Sequence, residues 1–411
     1  MAKIKIKNFG PIKDGYLEDD GWIDVKKVTV FVGNQGSGKS TVAKLISTFT
    51  WIEKALVRGD YDNKWFSRKS KLKNQFLNYH RLENYLPTNG LQTEIEYDGD
   101  AYNIKFKEEV LTIVEKKDIK YELPQIMYVP AERNFIAYVK SPKELKLSSD
   151  SLKEFLTEFD NAKEAIKGNV KLPINNVDLE YDKLNDILNI KGDDYKVRLT
   201  ESSSGFQSFV PLYIVSEYLS KEINELSGEN LNSMSSEEVE RFKTLAAEIY
   251  SNETLTSEQR RAALSAISSR FNKTCFINIV EEPEQNLFPS SQHGMLNSLI
   301  QFNNMNDGNK LIITTHSPYL INYLTLAVEA NKLKEKVNSN NLRGKLDEIV
   351  PLHSTVLGSS LVVYQLDENN GLITKLKSYK GLPSDQNYLN DGLAESNEAF
   401  SKLLEIEDLC Q

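Results

Sequence analysis

Residues 33–40 read GNQGSGKS, a complete G-x-x-x-x-G-K-S pattern, and no other feature restricts the fold of this chain as tightly. The apolar run VTVFV at residues 28–32 leads into it, and an apolar-periodic stretch with Val42, Leu45, Ile46 and Phe49 follows. Strand, glycine-rich loop and helix, in that order, is the setting in which such a loop cradles phosphates. Backbone N–H groups of residues 36–40 point at the phosphate oxygens, helped by the positive end of the following helix. Lys39 adds a point charge on the β and γ oxygens, Ser40 offers its hydroxyl to Mg²⁺, and Thr41 lies near the α-phosphate. The expected nucleotide-binding set is therefore Gly33, Asn34, Gln35, Gly36, Ser37, Gly38, Lys39, Ser40 and Thr41, with ATP and Mg²⁺ as cofactors.

The remaining length must be organised around this loop. At 411 residues the chain has room for one large composite domain or a domain with a sizeable insertion. Hydrophobic residues at 40% and charged residues at 27% exclude a low-complexity chain. Cys275 and Cys410 supply neither a disulfide framework nor clustered metal ligands, which fits a reducing compartment, and Cys275 lies in an apolar run expected in the core. The opening MAKIKIKNFG does not resemble a signal peptide, and no run approaches the ~20 apolar residues of a membrane span, so a cytoplasmic protein is expected. A formal charge of -9 argues against a surface that coats nucleic acid throughout.

Patterning along the chain places the other elements. Residues 3–7 alternate lysine and isoleucine as a half-buried strand does. Residues 64–81 carry Lys64, Arg68, Lys69, Lys71, Lys73 and Arg81 with no acidic residue, interleaved with Trp65, Phe66, Phe76 and Tyr79. Short strands joined by turns follow at 91–123, and a further strand at 126–129. A capping box from Ser151 to Glu154 predicts a helix ending by Gly168. After another strand-rich stretch, ESSSGFQSFVPLYIVSEYL predicts a buried helix that Pro211 kinks or delays. From about 220 to 272 the sequence turns acidic and predicts two amphipathic helices, with start signals at Ser235–Glu238 and Thr256–Gln259. The apolar strand CFINIV then leads into Glu281-Glu282, a helix follows Pro289, and the strand at 311–315 runs into His316. An acidic helix closes the chain.

A phosphate loop of this kind requires a carboxylate to hold the metal and a group to activate water, both at the end of a neighbouring buried strand. Glu281 is placed to contact the metal and Glu282 to polarise the attacking water, with Lys39 and His316 completing the expected catalytic set. His316, after the next strand, is within reach of the γ-phosphate or the attacking water.

The ordered series VGNQGSGKST, TESSSGFQS, IVEEPEQNLFP and TTHSPYLI resembles the ABC-type ATPase heads of the SMC, RecF and OLD families. The resemblance covers roughly residues 1–50, 126–134, 198–219 and 274–324. It implies an α/β fold: a P-loop NTPase of ABC-ATPase type with a strand-rich lobe and an inserted helical arm. It divides a single composite domain, 1–411, into a basic segment and strand-rich lobe (51–125), a helical and strand insertion (140–200), a helical arm (220–272) and a C-terminal extension of the head (325–411). It also implies that Ser203, Ser204, Gly205 and Gln207 form a signature segment that closes over ATP held by a second subunit. YVPAER, residues 128–133, stands where these proteins sense nucleotide, although the usual glutamine is absent and Glu132 or Arg133 would have to serve. Three departures from the pattern stand out: Glu281 in place of the common aspartate, Phe288 in place of an aspartate, and Ser204 in place of the first signature glycine.

The spelling EEPE and THSPYLI is closest to OLD-like ATPases of bacterial antiphage systems such as Septu, PARIS and some retrons. It implies a homodimer or higher oligomer that acts as sensor or scaffold for a separate effector, a nuclease or toxin, with DNA or a phage-derived trigger as a further partner. OLD nucleases carry a later D-x-D pair; residues 325–411 have none, and Asp367-Glu368 reads as a solvated turn before Asn369-Asn370-Gly371. Two other readings remain open: a RecF- or SMC-like repair ATPase that clamps DNA, and a scaffold that binds ATP with little turnover. Residues 64–81 are equally open, either as a contact for nucleic acid or a partner, or as a solvated face with its aromatics in the core.

Overall fold

The computed structural model describes residues 1–117, 120–138, 147, 149–225, 236–252, 255–256, 258–260, 263–264, 267 and 271–409. The lysine–isoleucine alternation forms β1 (Lys3–Lys7), with its isoleucines buried. After β2 (Gly15–Tyr16) and β3 (Ile23–Asp24) comes β4 (Val28–Gly33), buried at every residue, and then α1 (Lys39–Arg58). A helix this long holds because its apolar residues Val42, Leu45, Ile46, Phe49 and Ile52 repeat on one face, and Gly59 ends it in the left-handed region at φ 75°. The strands β5 (Glu94–Asp98), β6 (Tyr102–Lys107) and β7 (Val110–Glu115) join β1 and β3 in an antiparallel sheet ordered β3-β1-β5-β6-β7.

The centre of the molecule is a second sheet. It contains β8 (Pro124–Val129), β13 (Cys275–Glu281), β14 (Lys310–Thr315), β15 (Leu361–Leu366) and β16 (Leu372–Lys375), in the order β2-β16-β15-β4-β14-β13-β8. From β15 to β8 its neighbours run parallel. Such strands are covered on both faces and so read as continuous apolar runs. Asn278, the polar interruption in β13, is buried and donates to Ser216 Oγ at 2.9 Å, which satisfies its amide nitrogen.

Two cores flank the sheet. On one side Val28, Val30 and Val32 meet α3 (Asp150–Ala165), α4 (Ser204–Glu225), α6 (Pro289–Asn304) and α7 (Pro318–Lys334). On the other side Phe31, Ile277, Ile279 and Ile312 meet α1 and the antiparallel sheet. Between α3 and α4 the chain forms a four-stranded antiparallel sheet from β9 (Asn169–Lys171) to β12 (Lys196–Arg198). Cys275 lies in the core as expected, and burial pushes its thiol up to about 12.

Several local expectations are corrected. The cap of α3 is Ser149, whose hydroxyl accepts from the Leu152 N–H, because Ser149 stands in the extended conformation while Ser151 is already helical and buried. Pro211 does not delay α4, which begins at Ser204 and runs through the proline. Near it, the Ser208 carbonyl accepts from Arg133 Nε at 3.0 Å. In the region of the expected arm, α4 extends to Glu225 and α5 occupies Ser236–Ser251. Thr256 and Gln259 do exchange the two hydrogen bonds of a capping box, whereas Ser235, Cys410 and much of the second arm helix lie outside the described residues. Arg241 of α5 is fixed to the end of α1 by Asp60 at 3.2 Å and by the Tyr61 hydroxyl at 3.2 Å.

Candidate functional site

Four neighbouring parallel strands, β4, β14, β13 and β8, end together: Val32 pairs with Thr315, Thr314 with Glu281, and Val280 with Val129. Each then releases one segment of the site at the carboxyl edge of the sheet, where open α/β folds bind their ligands.

The first is the glycine-rich loop. Gly33, Gly36 and Gly38 all have positive φ, and Gly38 caps α1 at φ 101°. A Cβ at Gly33 would stand 2.3 Å from the Leu366 carbonyl oxygen, so the close packing of the loop on β15 requires glycine. Lys39 is buried and, within the free loop, donates to the Gly33 carbonyl at 3.0 Å and the Asn34 carbonyl at 2.8 Å. Burial pulls its amine down to about 8, against the opposing charges of Glu282, Glu284, Glu368 and Glu281.

The β13 edge supplies three glutamates in different states. Glu281 is buried; Oε2 accepts weakly from the Ala131 N–H at 3.3 Å, the carboxylate lies beside the Tyr128 hydroxyl, and Lys44 Nζ is 3.9 Å from Oε1. Glu282 adopts φ 43°, which a side chain rarely occupies, and its carboxylate faces His316 Nε2 at 3.3 Å. The His316 hydrogen bond and charge hold the Glu282 carboxyl below its ordinary range, with Lys39 and Arg133 adding to the effect. Glu284 lies beneath them and accepts from the His316 N–H at 2.7 Å and the Thr315 hydroxyl at 2.8 Å; burial raises its pKa.

The β8 edge supplies Arg133, which is fully buried and donates to the carbonyls of Pro130, Ser208, Glu281 and Glu282. It clamps the ends of β8 and β13 to α4, and is therefore a positioning group rather than the nucleotide sensor that the sequence allowed. Glu132, the other residue considered for that part, is exposed.

Ser203 and Ser204 are exposed at the start of α4. Among the described residues no hydrogen bond or ion pair joins either of them, or Gly205, to the P-loop. Gln207 is buried and donates to the Thr200 and Ser202 carbonyls at 3.2 and 3.0 Å, which anchors the segment. Phe288, after the β13 edge, is 75% exposed.

Glu368, expected in a solvated turn, is exposed, and it also accepts from Asn34 Nδ2 at 2.8 Å, so that turn is part of the loop's surroundings. The basic segment divides. Trp65, Phe66 and Phe76 pack on one another, Lys71 sits over Trp65 at 3.7 Å, and Tyr79 bonds to Glu154. Lys64, Arg68, Lys69 and Arg81 are exposed, and Lys73 is half-buried.

The AAA ATPase domain family model matches residues 1–140 and 251–321, just over half of the chain. The chain belongs to this family. The family match spans the P-loop, Arg133 and the ends of β13 and β14, and leaves out α3, α4 and the C-terminal segment. The structure is similar to the SMC head domain from Thermotoga maritima, at 11% identity over 92% of this chain and 98% of that one, with a TM-score of 0.37. It is similar to the Smc head domain bound to the C-terminal domain of ScpA from Pyrococcus furiosus, at 12% identity over 99% and 100%, with a TM-score of 0.34. A dimeric ATP-binding cassette with ADP and Pi matches at 12% identity over 92% and 100%, with a TM-score of 0.31. No curated protein matches the chain. Among the described residues no helix is long and apolar enough to cross a membrane.

Proposed function

We propose that the chain is a Mg²⁺-dependent ATP hydrolase that dimerises around ATP and serves as the sensor or scaffold subunit of an antiphage defence complex, governing a separate effector. The observation that carries the hydrolase reading is the Glu282–His316 pair at 3.3 Å, set on the same sheet edge as the Lys39 loop.

The residues fit a hard divalent cation: Ser40 is half-buried at the start of α1, and Glu281 offers a buried carboxylate beside the Tyr128 hydroxyl at the same sheet edge. Mg²⁺ bound there would neutralise charge on the β- and γ-phosphates. Lys39 supplies a further fixed charge and the 36–40 backbone supplies donors. His316 keeps Glu282 ionised, which is the state required to accept a proton from attacking water. Glu284 fixes the His316 backbone, so the pair is oriented before substrate arrives. The exposed Ser203-Ser204 at the head of α4 suits recognition of a nucleotide held by another copy.

Phosphate release tests the chemistry. Lys39→Ala is expected to abolish turnover and Glu282→Gln to slow it about 100-fold or more; wild-type rates in either variant would sink the assignment. The defence role rests on the EEPE and THSPYLI spelling. Its test is plaque formation on cells carrying the gene with its neighbours, where protection is expected for the wild type and not for Lys39→Ala. Equal plaquing on both would remove it.

A further inference from the structure

Lys44 follows Ser40 by one helical turn on α1, which sets both residues on the same face. Its ammonium lies 3.9 Å from Glu281 Oε1, and among the described residues no other carboxylate pairs with it. The Lys44 side chain is 24% exposed, whereas that of Glu281 is 5% exposed. Beneath the ammonium the wall is uncharged. The Tyr128 ring lies 6.0 Å from Nζ, and His80 meets that ring edge-on at 4.7 Å. Burial, helped by the Lys44 charge, drives the His80 imidazole down to about 3.

The groups around the Glu281 carboxylate differ in freedom. The Ala131 N–H at 3.3 Å belongs to the backbone, and the Tyr128 hydroxyl is carried on a buried ring in β8, whose register with β13 pairs Tyr128 with Ile279. Neither can leave without disturbing the sheet edge. Lys44 is joined to α1 by a flexible stem and is partly open to water, which hydrates an ammonium strongly. An ammonium and a divalent cation repel each other when both sit against one carboxylate, and salt screens a partly buried set of charges only weakly. Lys44 is thus the contact that a metal at Glu281 must displace.

We propose that Lys44 is a positioning residue for the metal site: it acts through Glu281 as a resident counter-ion, which holds the carboxylate in place and weakens its grip on a divalent cation until the ammonium swings out to water. The inference rests on the reading of Glu281 as the metal-contacting carboxylate. Its consequence is an order of loading, because Glu281 with Lys44 beside it is a poor ligand set until the oxygens of a nucleotide phosphate add to it.

The test is Mn²⁺ binding to the full chain without nucleotide, followed by the electron paramagnetic resonance of unbound Mn²⁺ as a spin-active stand-in for Mg²⁺. Lys44→Met is expected to bind Mn²⁺ about tenfold more tightly than the wild type, and Lys44→Arg, which keeps the charge, to match the wild type. The gain should vanish when Glu281→Gln is added to Lys44→Met. Equal affinity of Lys44→Met and the wild type, including no binding by either up to about 5 mM, overturns the proposal. So does a gain that survives Glu281→Gln. Lys44→Gln carries the same expectation if Lys44→Met folds poorly. A separate arm checks the underlying reading: with a non-hydrolysable ATP analogue present, Glu281→Gln alone should weaken Mn²⁺ binding about tenfold or more. If it does not, the metal assignment fails and this inference with it; if it does while Lys44→Met changes nothing, only the role of Lys44 falls.

Discussion

At the scale of single residues, Glu282 combines a chemical task with an unfavourable backbone. A left-handed φ of 43° on a residue with a Cβ costs on the order of 1–3 kcal/mol, and glycine escapes that cost. Glu282→Gly is therefore expected to resist denaturant better than Glu282→Ala by about 1 kcal/mol, while both lose hydrolysis; equal midpoints would show that the strain is absent. Lys39 gives a pH signature. Its amine is lowered to about 8 by burial, so in the free protein the charged form is complete below that pH and is lost as pH rises through it. Nucleotide binding requires the charge. Affinity should be flat below pH 8 and then fall by up to about tenfold per unit, whereas Lys39→Arg should abolish this dependence. Equilibrium binding of a fluorescent ATP analogue across pH 7 to 9.5 (about) reads both. Arg133→Met should destabilise the fold by about 3 kcal/mol or more in urea unfolding, because four carbonyls lose a buried donor together.

How far these residues could be read from sequence follows from the range of their contacts. The loop 33–41 shows its glycines and lysine at fixed spacing between an apolar strand and an apolar-periodic helix, so its pattern gives its geometry even though β15 and the turn after it pack on it, and Glu281, Glu282 and His316 stand at strand ends that apolar runs announce. Arg133, Glu284 and Glu368 had no such signal. Arg133 meets carbonyls at Ser208 and Glu281, and Glu368 meets Asn34, so their roles exist only after distant segments have come together. The aromatics of the basic segment were open to two readings for the same reason: an aromatic interleaved with lysines shows its direction only in the packed structure.

At the scale of elements, the strands and long helices were readable because burial on one or both faces imposes a period. Ends were less so. Ser149 and Ser151 both suit a cap, and backbone conformation alone chooses between them. Pro211 breaks the local rule inside α4, where tertiary packing on β8 and α6 outweighs its helix-breaking tendency. The start of α4 also carries a steric test. A Cβ on Gly205 would come within 2.9 Å of the Asn286 carbonyl oxygen in the loop after β13. Gly205→Ala should therefore shift that loop against α4 and lower stability by about 1–3 kcal/mol, read as a reduced urea midpoint. A midpoint equal to wild type would mean that the loop yields freely.

At the scale of the whole molecule, the groups of the candidate site come from four adjacent strands that are far apart in the chain, and long segments depart and return between them. The exposed Ser203-Ser204 and Phe288 lie outside the groups that Lys39 gathers around itself, as surfaces for a second copy would. With ATP and Mg²⁺, Glu282→Gln should run as a dimer in light scattering, and Ser203→Arg added to it should return the mass to a monomer. A mass that ignores ATP in both would count against a shared site.

The contact between Asn34 and Glu368 bears on speed. A carboxylate from the sheet-edge turn already rests on the loop that a triphosphate must enter, and it contributes to the field at Lys39. An incoming polyanion meets that charge before it meets the lysine. The turn should therefore act as a toll on arrival, and removing its charge in Glu368→Gln should raise the association rate of ATP with little change in how long the nucleotide stays.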